Sequence, residues 1–150
     1  MPRQMTPQER QEFLAEPHVG VLSVASDDDR PPLTVPLWYG YRPGGKISFF
    51  TATQGRKARK TGLIRKVGVL SLCVQREEFP YKYVTVEGSV IGSSNSPSAE
   101  QMLAIARRYL PEEAAQWFVK AELERPSSEL VLFTVRPDRW LTADFTDDVE

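Results

Sequence analysis

This chain of 150 residues has one cysteine and one histidine. A lone Cys73 excludes an internal disulfide. With His18 as the single imidazole, the common Cys/His zinc sets are excluded within one chain. No apolar run reaches the roughly 18 residues of a membrane-crossing helix. The start, MPRQMTPQER, lacks the apolar core and cleavage site of a secretory leader. A soluble, cytoplasmic protein without membrane partners is expected. The glycine patterns of P-loop and dinucleotide-binding proteins are missing, and so is the G-x-S-x-G turn of serine hydrolases. One further absence is local. No Asp or Glu occurs from Arg30 to Arg76, a window with ten basic residues, although the whole chain has a net charge of −1. That asymmetry fits an anion site, or a solvated basic face balanced by acids elsewhere in space.

Hydrophobic residues at 41% and charged residues at 26% are ordinary globular usage and argue against disorder. One domain over 1–150 is expected, with frayed tails at 1–5 and 146–150. Thr6-Pro7-Gln8-Glu9 carries a capping box and a first-turn proline, so a short helix starts there, with Phe13 and Leu14 as its apolar edge. Val19 to Ala25 reads as a buried strand. Leu33 to Tyr41 alternates with period two, with a bend or edge at Pro36. Pro43-Gly44-Gly45 turns the chain into a strand over Lys46 to Thr53. Arg56 to Lys66 loses alternation and reads as a loop and short helix, with Leu63 and Ile64 inward.

Val67 to Gln75 and Tyr81 to Ile91 are strands, the second broken by Gly92-Ser93-Ser94-Asn95. Two helices follow. Met102, Ile105, Ala106 and Tyr109 face inward on the first, and Ala114, Trp117, Phe118 and Ala121 on the second. Leu130 to Arg136 is the last clear strand, with Trp140 to Phe145 as its continuation. The sum is α+β and mainly β: six antiparallel strands in a small barrel with short flanking helices.

Protein nucleophiles are poorly represented. His18 sits at a strand start, and Cys73 lies in the apolar run LSLCV, where a buried structural thiol is expected. The informative segment is TATQGRKARKTGLIRK. A strand ends in the hydroxyls of Thr51 and Thr53, a glycine follows, and Arg56, Lys57, Arg59 and Lys60 crowd the start of a helix. Hydroxyls, backbone N–H groups, a helix N-terminus and cations together make a phosphate site. Trp38, Tyr39, Phe49 and Phe50 are near it in sequence. They are read as walls for a planar ring or as core packing. Phosphate plus an aromatic-sized pocket is the composition of a flavin site.

The order VGVLSVAS strand, VPLWYGY strand, PGGKISFFTAT strand, GRKARK turn, VGVLSLCVQ strand, YVTVEGSV strand resembles the pyridoxamine 5′-phosphate oxidase-like split β-barrel superfamily. Within it, the chain is most similar to the flavin/deazaflavin oxidoreductases. The resemblance spans about residues 6 to 142 and implies a six-stranded split barrel. It also implies a homodimer that binds its cofactor at the subunit interface and transfers hydride to or from a small organic substrate.

The resemblance places the cofactor phosphate on the basic turn. Counting from Ile64 and Ser71 selects Lys60, and counting from Gly45 selects Lys57, with Arg56 and Arg59 in support. It places Val35, Pro36, Leu37 and Trp38, with Thr51 and Thr53, beside the ring, and Tyr81 and Tyr83 near the partner subunit's cofactor. Trp140 matches the place where the last strand often meets the site. The chain ends in DFTDDVE, without the family's substrate-phosphate motif, which argues against vitamin B6 oxidation. The surplus of cations favours the deazaflavin F-420, with its phosphate and polyglutamate tail, with FMN as the other choice. No residue is singled out as catalytic and no metal is expected. A non-catalytic flavin, haem or tetrapyrrole binder is the alternative. Nucleic-acid binding ranks lower, since the aromatics alternate inside strands.

Overall fold

The computed structural model describes residues 1–53, 58–125 and 130–148. In chain order the elements are α1 (Pro7–Ala15), β1 (Gly20–Val24), β2 (Leu33–Leu37), β3 (Gly40–Tyr41), β4 (Ile47–Ala52), α2 (Ala58–Val67), β5 (Val69–Arg76), β6 (Lys82–Asn95), α3 (Ala99–Tyr109), α4 (Glu112–Leu123) and β7 (Leu130–Asp144). The fold is α+β around one antiparallel sheet of order β2-β1-β5-β6-β7-β4-β3.

That order requires closure. β2 and β3 are the two outermost strands, six spacings of ~4.8 Å apart in a flat sheet, or roughly 29 Å. The link from Leu37 through Trp38 and Tyr39 to Gly40 reaches about 11 Å at most. The sheet therefore rolls until its two edges meet, and a split runs between them. Inside the roll, registered rows interlock. Val35 lies opposite Leu22, Leu22 opposite Leu72, Leu72 opposite Val86, and Val86 opposite Trp140. Tyr39, Phe49, Phe133, Leu72 and Ile64 are essentially sealed from water, so the interior is full.

α1 contributes Phe13 and Leu14 to this core and α2 contributes Leu63 and Ile64. The capping box of Thr6 and Glu9 is present, as the sequence predicts. A second, smaller cluster joins Met102, Leu103, Ala106, Ala115 and Val119 of the α3–α4 hairpin, with Phe50 packed against it.

Several sequence expectations are corrected. There are seven strands among the described residues instead of six, because the alternating run 33–41 breaks at Trp38 and passes from one sheet edge to the other. Gly92 to Asn95 does not end β6. The strand slips register between Val90 and Gly92 and continues on β7 as far as Asn95 opposite Val131. On α4 the buried positions are Ala115 and Val119, whereas Trp117 is 72% exposed. Cys73 is not buried. β5 alternates, so Leu70, Leu72 and Val74 point in and Cys73 is left half-exposed on the outer face.

Arg3 pairs with Asp144 through two backbone bonds of 3.0 and 2.7 Å, and Met5 is buried. In the other tail, Thr146–Asp148 form a 3-10 turn.

Gly88 marks the bulge between β6 and β7. A Cβ there would lie 2.4 Å from Val135 Cγ1 and 2.9 Å from the Arg136 carbonyl. Gly88→Val is expected to cost about 1–3 kcal/mol, read as a lowered urea midpoint.

Asp144 is 5% exposed. Burial alone would raise its carboxyl, but the Thr146 hydroxyl and amide, Lys82 and Arg3 outweigh that and hold it below the usual carboxylate range. A carboxylate depressed on folding stabilises above its unfolded pKa of about 3.9, and the contribution is lost as pH falls through the folded value. Asp144→Asn should therefore lower Tm at pH 7, and the gap from wild type should close below about pH 4.

Candidate functional site

α2 closes one end of the roll, packing against β4, β1 and β5. Its first turn contains no acidic residue, and its last turn carries Arg65 and Lys66. The positive end of the helix dipole thus faces no side chain of opposite charge on its own first turn. Lys60 is half-buried on this turn. Arg59 donates to Ser26 Oγ at 2.7 Å, and Ser26 in turn donates to Asp28. Lys66 meets Asp27 at 3.2 Å. Of the two readings of the acid-free window, charge balance in space holds for these two cations, because the β1–β2 turn folds its acids against α2. Arg65 reaches the Asn95 side-chain carbonyl at 3.1 Å. Arg56 and Lys57 lie outside the described residues.

Thr51 lies near the end of β4, beside this helix, and Thr53 follows the last residue of the strand, Ala52. Thr51 is 2% exposed and its hydroxyl shares a 2.7 Å bond with that of Thr61. It anchors α2 from below and does not open to a ligand. Thr53 is partly exposed and lines a hollow with Arg65, Asn95 and Ser96.

Across the split, β2 is an edge strand paired on one side with β1, and Pro36, opposite Val21, leaves no N–H to expose. Val35 and Leu37 turn toward the core, while Pro36 points outward. Trp38 follows directly. Its indole is half-buried and stacks on Tyr109 with centroids 4.9 Å apart and planes 6° apart, flanked by Phe118 at 6.0 Å. Tyr39 is fully buried and donates to the Leu14 carbonyl at 2.8 Å. Burial pushes the phenols of Tyr39 and Tyr109 above the ordinary tyrosine value, so both stay protonated donors at neutral pH. Of the four aromatics read as ring walls or core, Tyr39 and Phe49 are core, and Phe50 packs on the helical hairpin.

Tyr81 and Tyr83 lie elsewhere. Twelve residues of β6 separate Tyr83 from Asn95, roughly 40 Å of extended strand. The two tyrosines cluster with Phe145 at 5.2 and 6.4 Å, and the Tyr81 hydroxyl meets Gln75 at 3.3 Å. One chain thus brings Thr53, Arg59 and Lys60 to the α2 end and leaves the tyrosines at the other. Trp140 packs on the core with the Arg10 guanidinium 4.1 Å above its ring.

Sequence reasoning missed Phe145 and the bridging part of Tyr109. Helical spacing places Tyr109 inward, but nothing local names a partner 71 positions earlier. Among the described residues, no group of three His, Cys, Asp or Glu side chains is placed to hold a metal. No described helix is long and apolar enough to cross a membrane.

With the interior full, a ligand the size of a flavin has to lie outside the roll. One groove, about 530 Å³, is open and runs along the outer face past Ser23, Pro32, Val69, Ser71, Glu87 and Arg139. Beside it, Val21, Cys73, Thr85 and Leu141 form one registered row across four strands. Leu141 is 60% and Val69 55% exposed.

The comparisons with known proteins agree with this architecture. None of the curated proteins matches the sequence. Among solved structures, the chain is similar to an F420 reductase, with 22% identity over 87% of this chain and 94% of that one and a TM-score of 0.65. It is also similar to a conserved hypothetical protein of Mycobacterium tuberculosis, with 17% identity over 93% and 85% and a TM-score of 0.67. A FAD-binding protein of Mesorhizobium loti shares 21% identity over 96% of both chains, with a TM-score of 0.61. At these identities the likeness is one of fold. The pyridoxamine 5′-phosphate oxidase family model matches residues 6–144, nearly the whole chain, and the protein belongs to that family.

Proposed function

We propose that this protein is a homodimeric, cytoplasmic oxidoreductase that uses F-420 or FMN at the subunit interface. The observation that carries the reading is the first turn of α2, which carries Arg59 and Lys60 and no acid, in a roll whose edge strand β2 leads into a half-buried tryptophan. These groups fit an anionic cofactor. Lys60, Arg59 and Thr53 would hold its phosphate. Val35 to Trp38 would flank its ring, with Pro36 presenting an edge that offers no competing N–H. When bound, a flavin or deazaflavin supplies hydride transfer to or from a small organic substrate. The chain's own part is to bind, orient and exclude water.

The dimer reading rests on two features. The interior is packed, so the ring needs an outer wall. The row Val21, Cys73, Thr85 and Leu141 is an uncovered, largely apolar face suited to a second copy. A second chain would also bring its Tyr81 and Tyr83 toward a site that one chain leaves open.

Fluorescence titration of the purified protein with FMN and with F-420 tests the reading. Micromolar or tighter binding of either is expected, followed by turnover with a reductant and electron acceptors. Tight binding without turnover would mark a carrier or sensor, and no binding would overturn the cofactor assignment. Lys60→Ala is expected to raise Kd about tenfold, the loss of one charge-assisted bond worth roughly 1.4 kcal/mol. Sedimentation should give a dimer, and Leu141→Arg should shift it to monomer, because it buries an unpaired charge in the apolar row.

A further inference from the structure

The α3–α4 hairpin is inserted between β6 and β7, and a hairpin so placed could stand apart from the sheet. Its contacts say otherwise. Ile105 packs so closely on β3 that a Cβ at Gly40 would lie 3.0 Å from Ile105 Cγ1. Phe50 of β4 packs into the hairpin's own apolar cluster. Tyr109 and Phe118 hold Trp38 between them. The hairpin therefore grips both lips of the split, the β2 lip through Trp38 and the β3 lip, with its neighbour β4, through Ile105 and Phe50.

Tyr109 is the centre of this grip. Its hydroxyl accepts the Tyr39 N–H at 3.1 Å and donates to the His18 carbonyl at 2.8 Å. Those two backbone groups belong to the link between the sheet edges and to the segment leading into β1. The neighbouring β1–β2 ladder pair is Gly20 opposite Leu37. One hydroxyl thus ties the end of β2 to the start of β1. The adjacent Arg108 lays its guanidinium 4.7 Å from the Tyr39 ring and donates to the Leu14 and Glu16 carbonyls at 3.2 Å, closing the C-terminal end of α1. The phenol is held protonated by burial, so the tie does not open near neutral pH.

We propose that Tyr109 is a positioning residue: through its stack on Trp38 and its bond to Tyr39 it sets the attitude of the β2 lip, and with it the seat of the cofactor ring. The inference rests on the cofactor reading above for its functional half and on geometry alone for its structural half. The two halves separate experimentally.

In the protein without cofactor, hydrogen exchange is measured on wild type and Tyr109→Phe, which keeps the stack and loses both hydroxyl bonds. Exchange at Tyr39 and at Val35, Leu37 and Trp38 is expected to rise at least tenfold, with β5 and β6 unchanged. Unchanged exchange at Tyr39 would overturn the proposal. In the second arm, FMN and riboflavin, the same ring without phosphate, are titrated against Tyr109→Leu, with Phe118→Ala as the milder variant should Tyr109→Leu fail to fold. Both ligands should weaken by the same factor, at least fivefold. The visible circular dichroism of bound FMN should change, which a loss of global stability alone would not produce in a variant that remains folded. Lys60→Ala should weaken FMN and spare riboflavin. Unchanged affinity and an unchanged spectrum in a folded variant would overturn the positioning role. If wild type binds neither FMN, riboflavin nor F-420, the cofactor reading fails, and the functional half of the proposal fails with it. Raised exchange at Tyr39 would then still establish the clamp.

Discussion

Two residues, Trp38 and Tyr39, set the terms for the rest of this molecule. They join the outermost strands of a seven-stranded sheet, and their span is too short for that sheet to stay open. Closure follows, and with it a full interior, a split between β2 and β3, and an outer face that carries whatever the protein binds. It also places a polar link, with its N–H and C=O groups, at a crowded junction where unmade bonds are costly. Tyr109 and Arg108, adjacent residues at the end of α3, supply partners at this junction for Tyr39, His18 and α1.

The charge pattern shows how far composition can be pushed. Arg30 to Arg76 contains no acid. In space, Asp27 and the Ser26–Asp28 pair lie against α2 and take up Lys66 and Arg59. What the fold adds is position: Arg59 and Lys60 stand on the first turn of α2, a turn without an acid of its own. Thr51, equivalent to Thr53 in a one-dimensional reading, is spent on holding α2 to β4. A strand alternates its faces, so two hydroxyls two positions apart share a side only while the strand stays regular. β4 ends at Ala52, between the two threonines.

Most elements were legible because their signals are short-range. The capping box at Thr6, the alternation of β4, and the inward Leu63 and Ile64 each depend on neighbours within one or two turns. The misreadings fall where distant contacts override local signals. Gly92 to Asn95 looks like a break, yet β7 supplies a partner strand for it. The apolar stripe of α4 is read one position off, because Trp117 points away from the cluster that α3 offers. Cys73 seems buried within an apolar run, but only alternate residues of β5 face the core.

The sequence alone determined the class of fold, the family, the helix starts and the location of the cations, since each is written in propensity, period and order. Tertiary structure decided which of those groups meet. It put Arg59 and Lys60 at one end and Tyr81 and Tyr83 at the other, drew Tyr39 and Phe49 into the core, and made Tyr109 the partner of Trp38. The physical reason is the closure of the sheet. Rolling brings together residues far apart in the chain, and no local pattern records a contact made across 71 positions.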